Sequence, residues 1–341
     1  MTNAIEISVV ISTFNRCDLL SVVLDRIMSQ DAGGITYEVI VVDNNSADQT
    51  RHVVASISNG GNPDLRYVFE ASQGVSYARN SGIAKARAPI IAFLDDDVVP
   101  KRNWIRTIRT TFDKHPDVSC IGGRILPSWE KDPPRWLTPE HWAPVALQDY
   151  GSLPFYINCD HQLCLLSANF AFRREVFEMI GDFAPELQRV KDGIGSMEDL
   201  ELLIRLWKAN LQALYVPELI VTAQVPVDRM TKAYHRRWHR GHGYFYAMLR
   251  SDEVECSSSG RLFDVPAHLY RRSLIDSLGW LRAFCSGKFD EAFKYETELR
   301  FFMGFFSKRR RDFFNSDRSG TSSELRRIAR SVVDRLRKVS L

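Results

Sequence analysis

The apolar run Ile90-Ile91-Ala92-Phe93-Leu94 ends abruptly in Asp95-Asp96-Asp97. Three adjacent like charges repel unless a cation sits among them. On extended backbone, side chains two apart share a direction, so Asp95 and Asp97 can converge on one ligand while Asp96 faces elsewhere. Carboxylate oxygens so placed suit a hard divalent ion, Mg²⁺ or Mn²⁺, with its other positions filled by water and substrate phosphate. Asp96 is then the member expected to tolerate replacement best. An Asp-rich strand end can also be only a solvated turn or helix cap. The second chemical group is Gly195-Ser196-Met197-Glu198-Asp199-Leu200, followed by Leu203, Ile204 and Trp207 on one helical face. Ser196-x-x-Asp199 approximates a capping box, and a carboxylate at such a helix mouth can equally act as a general base if a hydroxyl comes within about 3 Å.

Alternating strand and helix patterns must position these groups. Ile7–Thr13 is β-branched and apolar, Leu19–Met28 has helical spacing, Glu38–Asp43 is a second buried strand, and Ser46 is placed to cap a helix running to about Ser58. Leu65–Phe69 reads as a strand, Val75–Ala86 as a helix and Pro89–Leu94 as a strand. Such alternation predicts a mainly parallel sheet with helices on both faces, with ligands beyond the carboxyl ends of its strands. Polar clusters follow those ends: Thr13-Phe14-Asn15-Arg16, Asp43-Asn44-Asn45-Ser46 and Asp95–Asp97. They should meet on one edge. Residues 127–165 read as a long structured loop carrying Trp129, Trp136 and Trp142, whose rings could stack on a sugar or simply fill core. Arg173–Ile180 and Asp199–Lys208 are helical, and the chain is helical in character from Met230 onward.

With 341 residues and 45% hydrophobic content, the chain can bury one large domain plus an appendage. Its six cysteines form no CxxC pair and no zinc-like cluster, so a reducing cytoplasm is the expected setting. No apolar run reaches the roughly 18–20 residues of a membrane span. The net charge of +3 hides an asymmetry: residues 300–341 hold 12 Lys/Arg against 4 Asp/Glu, leaving the rest of the chain net acidic. Arg300–Arg311 joins aromatics to a basic block, which fits either an interfacial membrane segment or a core-packed helix ending in solvated Arg. A basic tail without a nucleic-acid module is weak support for nucleic-acid binding, and none is expected.

Several of these motifs, in this order, resemble the family 2 glycosyltransferases. Val9-Val10-Ile11-Ser12-Thr13-Phe14-Asn15-Arg16 is similar to their first strand and its nucleotide-contacting end, and Glu38–Asp43 with Asn44-Asn45-Ser46-x-Asp48 to their second. Gly74-x-x-x-Ala78-Arg79-Asn80-x-Gly82, Leu94-Asp95-Asp96-Asp97 (the DxD motif), Ala168-Asn169-Phe170-Ala171-Phe172-Arg173 and Glu198-Asp199 (the ED motif) complete the match, over roughly residues 5–225. The resemblance implies an α/β GT-A nucleotide-sugar-binding fold, with a mainly parallel central sheet flanked by helices and a C-terminal helical extension. It places a catalytic domain at 1–228, with 127–165 as an acceptor-side region, and the extension at 229–341.

The implied chemistry is metal-dependent transfer, with inversion, of one sugar from a nucleotide-diphosphate sugar to an acceptor hydroxyl, UDP or dTDP being favoured. Asp199, beside Glu198, would be the base. Thr13, Phe14, Asn15, Arg16, Asp43, Arg79, Asn80, Asp95 and Asp96 would line the donor nucleotide site. Asp95 and Asp97 would hold Mn²⁺ or Mg²⁺, while Asn169 and Trp136 would face the sugars. The acceptor would be a saccharide or a lipid-linked saccharide in surface polysaccharide or glycolipid assembly, met in the cytoplasm or on the inner face of the plasma membrane through the basic aromatic C-terminal region.

Departures from the family pattern are visible. Ala223 aligns where many members have a metal-binding histidine, leaving His235, His239 or His242 as substitutes. Asn44 stands for a second Asp, and Asn210 for a helix-ending Gly. Tyr234-His235-Arg236-Arg237-Trp238 is similar to the QxxRW motif of processive synthases but lacks its Gln, so one sugar per encounter is expected. The rival reading is a nucleotide-sugar-binding scaffold that has lost catalysis.

Overall fold

Val, Ile and Leu alternate between two cores along each central strand, which is what a sheet covered on both faces requires. In β1 (Ile7–Thr13) the residues Ile7, Val9 and Ile11 enter one core and Val10 the other. In β2 (Tyr37–Asp43) Val39 and Val41 oppose Ile40 and Val42. The computed structural model describes residues 4–57, 63–188, 194–255 and 260–315. Between β1 and β2 lies α1 (Cys17–Met28); α2 (Thr50–Ile57), β3 (Asp64–Phe69), α3 (Val75–Lys85), β4 (Ile90–Asp95), β5 (Val98–Pro100) and α4 (Trp104–Lys114) follow. Then come β6 (Cys120–Trp129), β7 (Phe155–Ile157), β8 (Asn169–Arg173), α5 (Glu175–Ile180), α6 (Glu198–Lys208) and β9 (Ala213–Val225).

The sheet order is β3-β2-β1-β4-β8-β6-β9-β5, with β7 also pairing β9. β3, β2, β1 and β4 are mutually parallel, and β8 runs antiparallel between β4 and β6. The register sets Thr13 opposite Asp43 and Ser12 opposite Asp95. The carboxyl ends of three strands therefore share one edge, as expected. α1 and α4 pack on one face of the sheet, α5 and α6 on the other.

Two local expectations are corrected. Ser46 does not cap α2; its hydroxyl accepts the Asn15 N–H at 2.9 Å, and Asp48 accepts the Thr50 N–H at 3.0 Å instead. The capping box at α6 does not form either: Met197 is the N-cap, without a side-chain bond. At the other end of α6, Asn210 adopts φ 58°, and the bonds Asn210 N–H to Trp207 O and Leu211 N–H to Leu206 O close a Schellman turn.

The chain divides into two compact units at Trp238/His239, later than the boundary expected at residue 228. The difference arises because Met230 and His235, beyond that boundary, are buried in the first unit. α7 (Lys232–Leu249) straddles the division, and α8 (Asp252–Glu255), β10 (Arg261–Leu262), β11 (Val265–Pro266), α9 (Ala267–Cys285) and α10 (Phe289–Asn315) follow. The second unit has its own core, built on Ala247, Val254, Val265, Leu269, Phe302 and Phe305. Gly243 of α7 and Gly304 of α10 face each other's helix backbone so closely that a Cβ on either would collide with it. One side of the aromatic-basic stretch of α10 is core: Phe302, Phe305 and Arg309 are buried, Arg309 against the expectation of a solvated Arg end, while Met303 is exposed. Of the two readings of Arg300–Arg311 the structure has the core-packed helix; the basic tail from residue 316 lies outside the described residues. Among the described residues no helix is long and apolar enough to cross a membrane.

Candidate active site

The ends of β1 and β2 are laced together. Asn44 N–H donates to Thr13 O, Ala47 N–H to Asn15 Oδ1 (2.7 Å), Cys17 N–H to Asp48 Oδ2 (2.9 Å) and Ser46 N–H to Asp43 Oδ1 (2.8 Å). Asn15 and Asn45 accept positive φ of 51° and 67° to make the turns; Asn is among the few non-glycine residues that do so readily. Phe14 stands exposed among these polar groups. Asp43 is buried, and its other oxygen receives the Tyr67 hydroxyl at 2.7 Å. Asn44 explains its own departure from Asp: its amide donates to Ser72 O at 2.6 Å and its carbonyl receives the Gly74 N–H at 2.7 Å, which a carboxylate could match only in part.

The three aspartates are arranged differently from the expectation. β4 ends at Asp95 and a turn follows, so strand alternation stops there. Arg16 Nη1 reaches Asp96 Oδ1 and Asp97 Oδ2 at 3.0 Å each, and Thr13 Oγ1 donates to Asp96 Oδ2 at 2.8 Å. Asp96 and Asp97 thus share the guanidinium, while Asp95 turns to Arg79 Nη2 at 3.2 Å. Asp96 is the most buried of the three, so it is not the one that replacement would spare. Burial lifts its carboxyl to about 6 against the pull of Arg16, with Asp97 adding repulsion. Burial and then Asp95 raise Asp97 as well, opposed by Arg16 and by Arg229. Arg229, in the short turn Val227–Met230, carries no recognisable sequence mark beyond its place just after Val225-Pro226.

Arg79 links this cluster to the ED motif. It is buried in α3, with Nη1 3.2 Å from Glu198 Oε1 and 3.5 Å from Asp199 Oδ1. Asp199 Oδ2 accepts both the N–H and the hydroxyl of Ser167 at 3.0 Å, whereas its buried Oδ1 receives no hydrogen bond from the described residues. Burial raises the Asp199 carboxyl to about 7, restrained by Arg79 and pushed further by Glu198. Ser167 was missed from sequence; its one mark is its position two residues before Asn169.

Three expected site residues serve as struts. Asn169 is fully buried, with its amide donating to Arg124 O and Leu219 O at 2.8 Å and its carbonyl receiving Trp104 Nε1–H at 2.8 Å, so it has no group to offer a sugar. Asn80 brackets the Phe183 backbone, donating to its carbonyl at 2.9 Å and accepting its N–H at 3.0 Å. Trp136 packs against the first core and is flanked by His141, His235 and the Lys232 ammonium, so its ring is not left open as a platform.

Among the described residues Asp95 Oδ2 and Asp97 Oδ1 take no hydrogen bond, and both residues are partly exposed. Hard oxygen donors in that state fit a divalent cation that also takes ligands from substrate and water. Ala223 pairs with Val98, directly after the three aspartates, and supplies no ligand. Of the histidines considered as substitutes, His235 is buried against Trp136 in the first unit, and His239 and His242 fall in the second unit. No cluster of three His, Cys, Asp or Glu among the described residues is arranged to hold a metal by itself.

Comparison with known proteins agrees with this geometry. The model of Glycosyl transferase family 2 matches residues 8–181. The chain is 25% identical over 209 residues to a glucosyl-dolichyl phosphate glucuronosyltransferase of Haloferax volcanii, covering 60% of this chain and 64% of that one. The chain therefore spans less than two thirds of the length of this curated relative. Mannosyltransferase PcManGT from Pyrobaculum calidifontis, in complex with GDP-Man and Mn²⁺, superposes with TM-score 0.51 at 18% identity over 98% of this chain and 81% of that one. Residues 1–349 of S. aureus TarS in complex with UDP superpose with TM-score 0.52 at 16% identity over 86% and 90%. With the strand-end clusters, the aspartate turn and the ED helix mouth assembled on a GT-A sheet, the chain belongs to glycosyl transferase family 2.

Proposed function

We propose that this chain is a glycosyltransferase that moves one sugar from a nucleoside diphosphate donor to an acceptor hydroxyl with inversion at the anomeric carbon, in surface polysaccharide or glycolipid assembly. Asp199 carries the reading: one oxygen is fixed by Ser167 and the other, buried, has only the Arg79 guanidinium at 3.5 Å and no hydrogen bond among the described residues, in a carboxyl raised to about 7. That is the state of a base ready to take a hydroxyl proton near neutral pH. Glu198 and Arg79 hold the group in place, and Arg79 stabilises the ionised form that must exist before the acceptor attacks.

On the donor side, Phe14 offers an exposed ring for a base, while the Thr13–Arg16 and Asp43–Ser46 turns give a rigid rim. Asp95 and Asp97 would hold Mn²⁺ or Mg²⁺, which when bound supplies Lewis-acid neutralisation of a departing diphosphate. Arg16 would stay against Asp96, and Arg229 adds positive charge beside Asp97. The relative named for glucosyl-dolichyl phosphate supports a lipid-linked saccharide as acceptor, met at the cytoplasmic membrane face. UDP and dTDP sugars come first in the donor test.

The test is a thermal-shift panel of nucleotide sugars with and without Mn²⁺, followed by transfer assays on the stabilising donors with wild type and Asp199→Asn. Metal-dependent stabilisation together with transfer in wild type alone supports the proposal. Equal activity in both proteins would remove Asp199 from the chemistry, and a product retaining the donor's anomeric configuration would remove inversion.

A further inference from the structure

The second unit carries an apolar surface that is not the aromatic-basic stretch of α10. On α9 and at the start of α10, Leu274, Ile275, Leu278, Leu281, Phe284 and Phe289 are each between 49% and 62% exposed. The first four repeat at helical spacing, whereas Leu269 and Ala283 on the same helix are buried. At the turn, Trp280 stacks on Phe284 (centroids 5.3 Å, planes 19° apart) and Phe289 meets Phe284 edge-on at 5.8 Å. A contiguous apolar face of this kind marks an interaction surface rather than scattered exposure.

We infer that this face of α9, with the α9–α10 turn, docks on an anionic lipid surface. Charge decides the occupant. The only acid on α9, Asp276, is half-buried; Arg272 pairs with Glu298 at 3.5 Å, and Lys288 in the turn is answered by Asp290 and Glu291 at the start of α10, which leaves Arg271 and Arg282, at the two ends of the stripe, as its exposed cations without an ion pair among the described residues. Packing α9 against α9 of a second copy would set Arg271 against a partner's Arg271 or Arg282 according to direction, since both ends of the stripe are basic. An anionic bilayer meets Arg271 and Arg282 with opposite charge while the Leu, Ile and Phe side chains enter the acyl boundary. Beside the stripe opens a cavity of about 410 Å³. Ile275 and Leu278 line it, with Arg282 and Lys288 beside the apolar wall and Glu291 paired to Lys288 at 3.4 Å. The surface draws its purpose from the lipid-linked acceptor proposed above, but binding is measured without donor, so either idea can fail alone.

The experiment is co-sedimentation of the full chain with phosphatidylcholine vesicles containing about 30% phosphatidylglycerol, with pure phosphatidylcholine as control and light scattering for molecular mass. Wild type should bind the anionic vesicles, more weakly at high salt, and Leu278→Glu/Leu281→Glu should bind at least about tenfold more weakly with unchanged circular dichroism. Leu278→Ala/Leu281→Ala, which introduces no charge, should fall between them. Asp199→Asn should bind as wild type does. The inference is overturned if wild type ignores anionic vesicles, if the Glu variant binds them equally, or if wild type is a dimer that the Glu variant splits.

Discussion

Each unit of this chain contains a knot of arginines and carboxylates, and the two differ in their balance. In the first unit, Asp95, Asp96, Asp97, Glu198 and Asp199 share Arg16 and Arg79 in their ion pairs. In the second, Glu255 and Asp264 share Arg250, Arg261 and Arg309. The carboxyls respond accordingly. Against burial, Arg261 and Arg309 hold Glu255 below the usual range, and Arg250 and Arg309 do the same for Asp264. Asp96 and Asp199 are raised to about 6 and about 7. A buried ion cluster is therefore not in itself a sign of chemistry; a shortage of positive charge within it is, because such a site still has a cation or a proton to take.

The largest test of this contrast is Asp199→Asn, which should lower turnover about 10³-fold while donor-dependent stabilisation persists, as expected for loss of a general base. The wild-type rate should fall as pH drops through about 7, where the raised carboxyl takes a proton and ceases to be a base. The folded carboxyl is harder to ionise than the unfolded one. Wild type should therefore lose stability as pH rises from about 4 to about 7, and the Asn variant should lose less.

Next comes the removal of one guanidinium from each knot. Arg79→Met leaves three carboxylates short of their shared cation and should cost about 3–5 kcal/mol in urea unfolding. It should also move the acid limb of the rate profile to higher pH. Divalent metal gives a smaller effect: Mn²⁺ at about 100 times its Kd should add about 2.7 kcal/mol to wild type and little to Asp95→Asn/Asp97→Asn. Smallest is Arg309→Met, which leaves Glu255 with Arg261 and Asp264 with Arg250 and should cost only about 1–2 kcal/mol, with transfer unchanged. If Arg309→Met proves as costly as Arg79→Met, the contrast in charge balance is wrong.

The sequence revealed what side-chain type alone controls. Buried strands with polar ends announced the sheet edge, and Glu198-Asp199 before an amphipathic run announced the helix mouth. It hid whatever depends on where a strand stops. Alternation from Ile90 onward assigned Asp96 the idle direction, but the turn after Asp95 gave it to Arg16 and Thr13. Asn80 and Asn169 looked like ligands because polar residues beside a site read alike whether they face the pocket or brace its walls. α3 shows no apolar stripe because it buries Ser76 and Arg79 alongside Ala78 and Ile83, so the Arg79 linkage could not be read from periodicity. The α9 stripe has the spacing of a core-facing helix, and only solvent exposure distinguishes it from one.

The lacing of residues 13–17 to residues 43–48 has a thermodynamic consequence. Fixing the backbone of a residue costs about 1–2 kcal/mol in conformational entropy. Those turns are already fixed by bonds between Thr13, Asn15, Cys17, Asp43, Asn44, Ser46, Ala47 and Asp48. Whatever occupies that rim meets a surface ordered when the chain folded, so its contact energy appears as affinity rather than being lost to organising the loops.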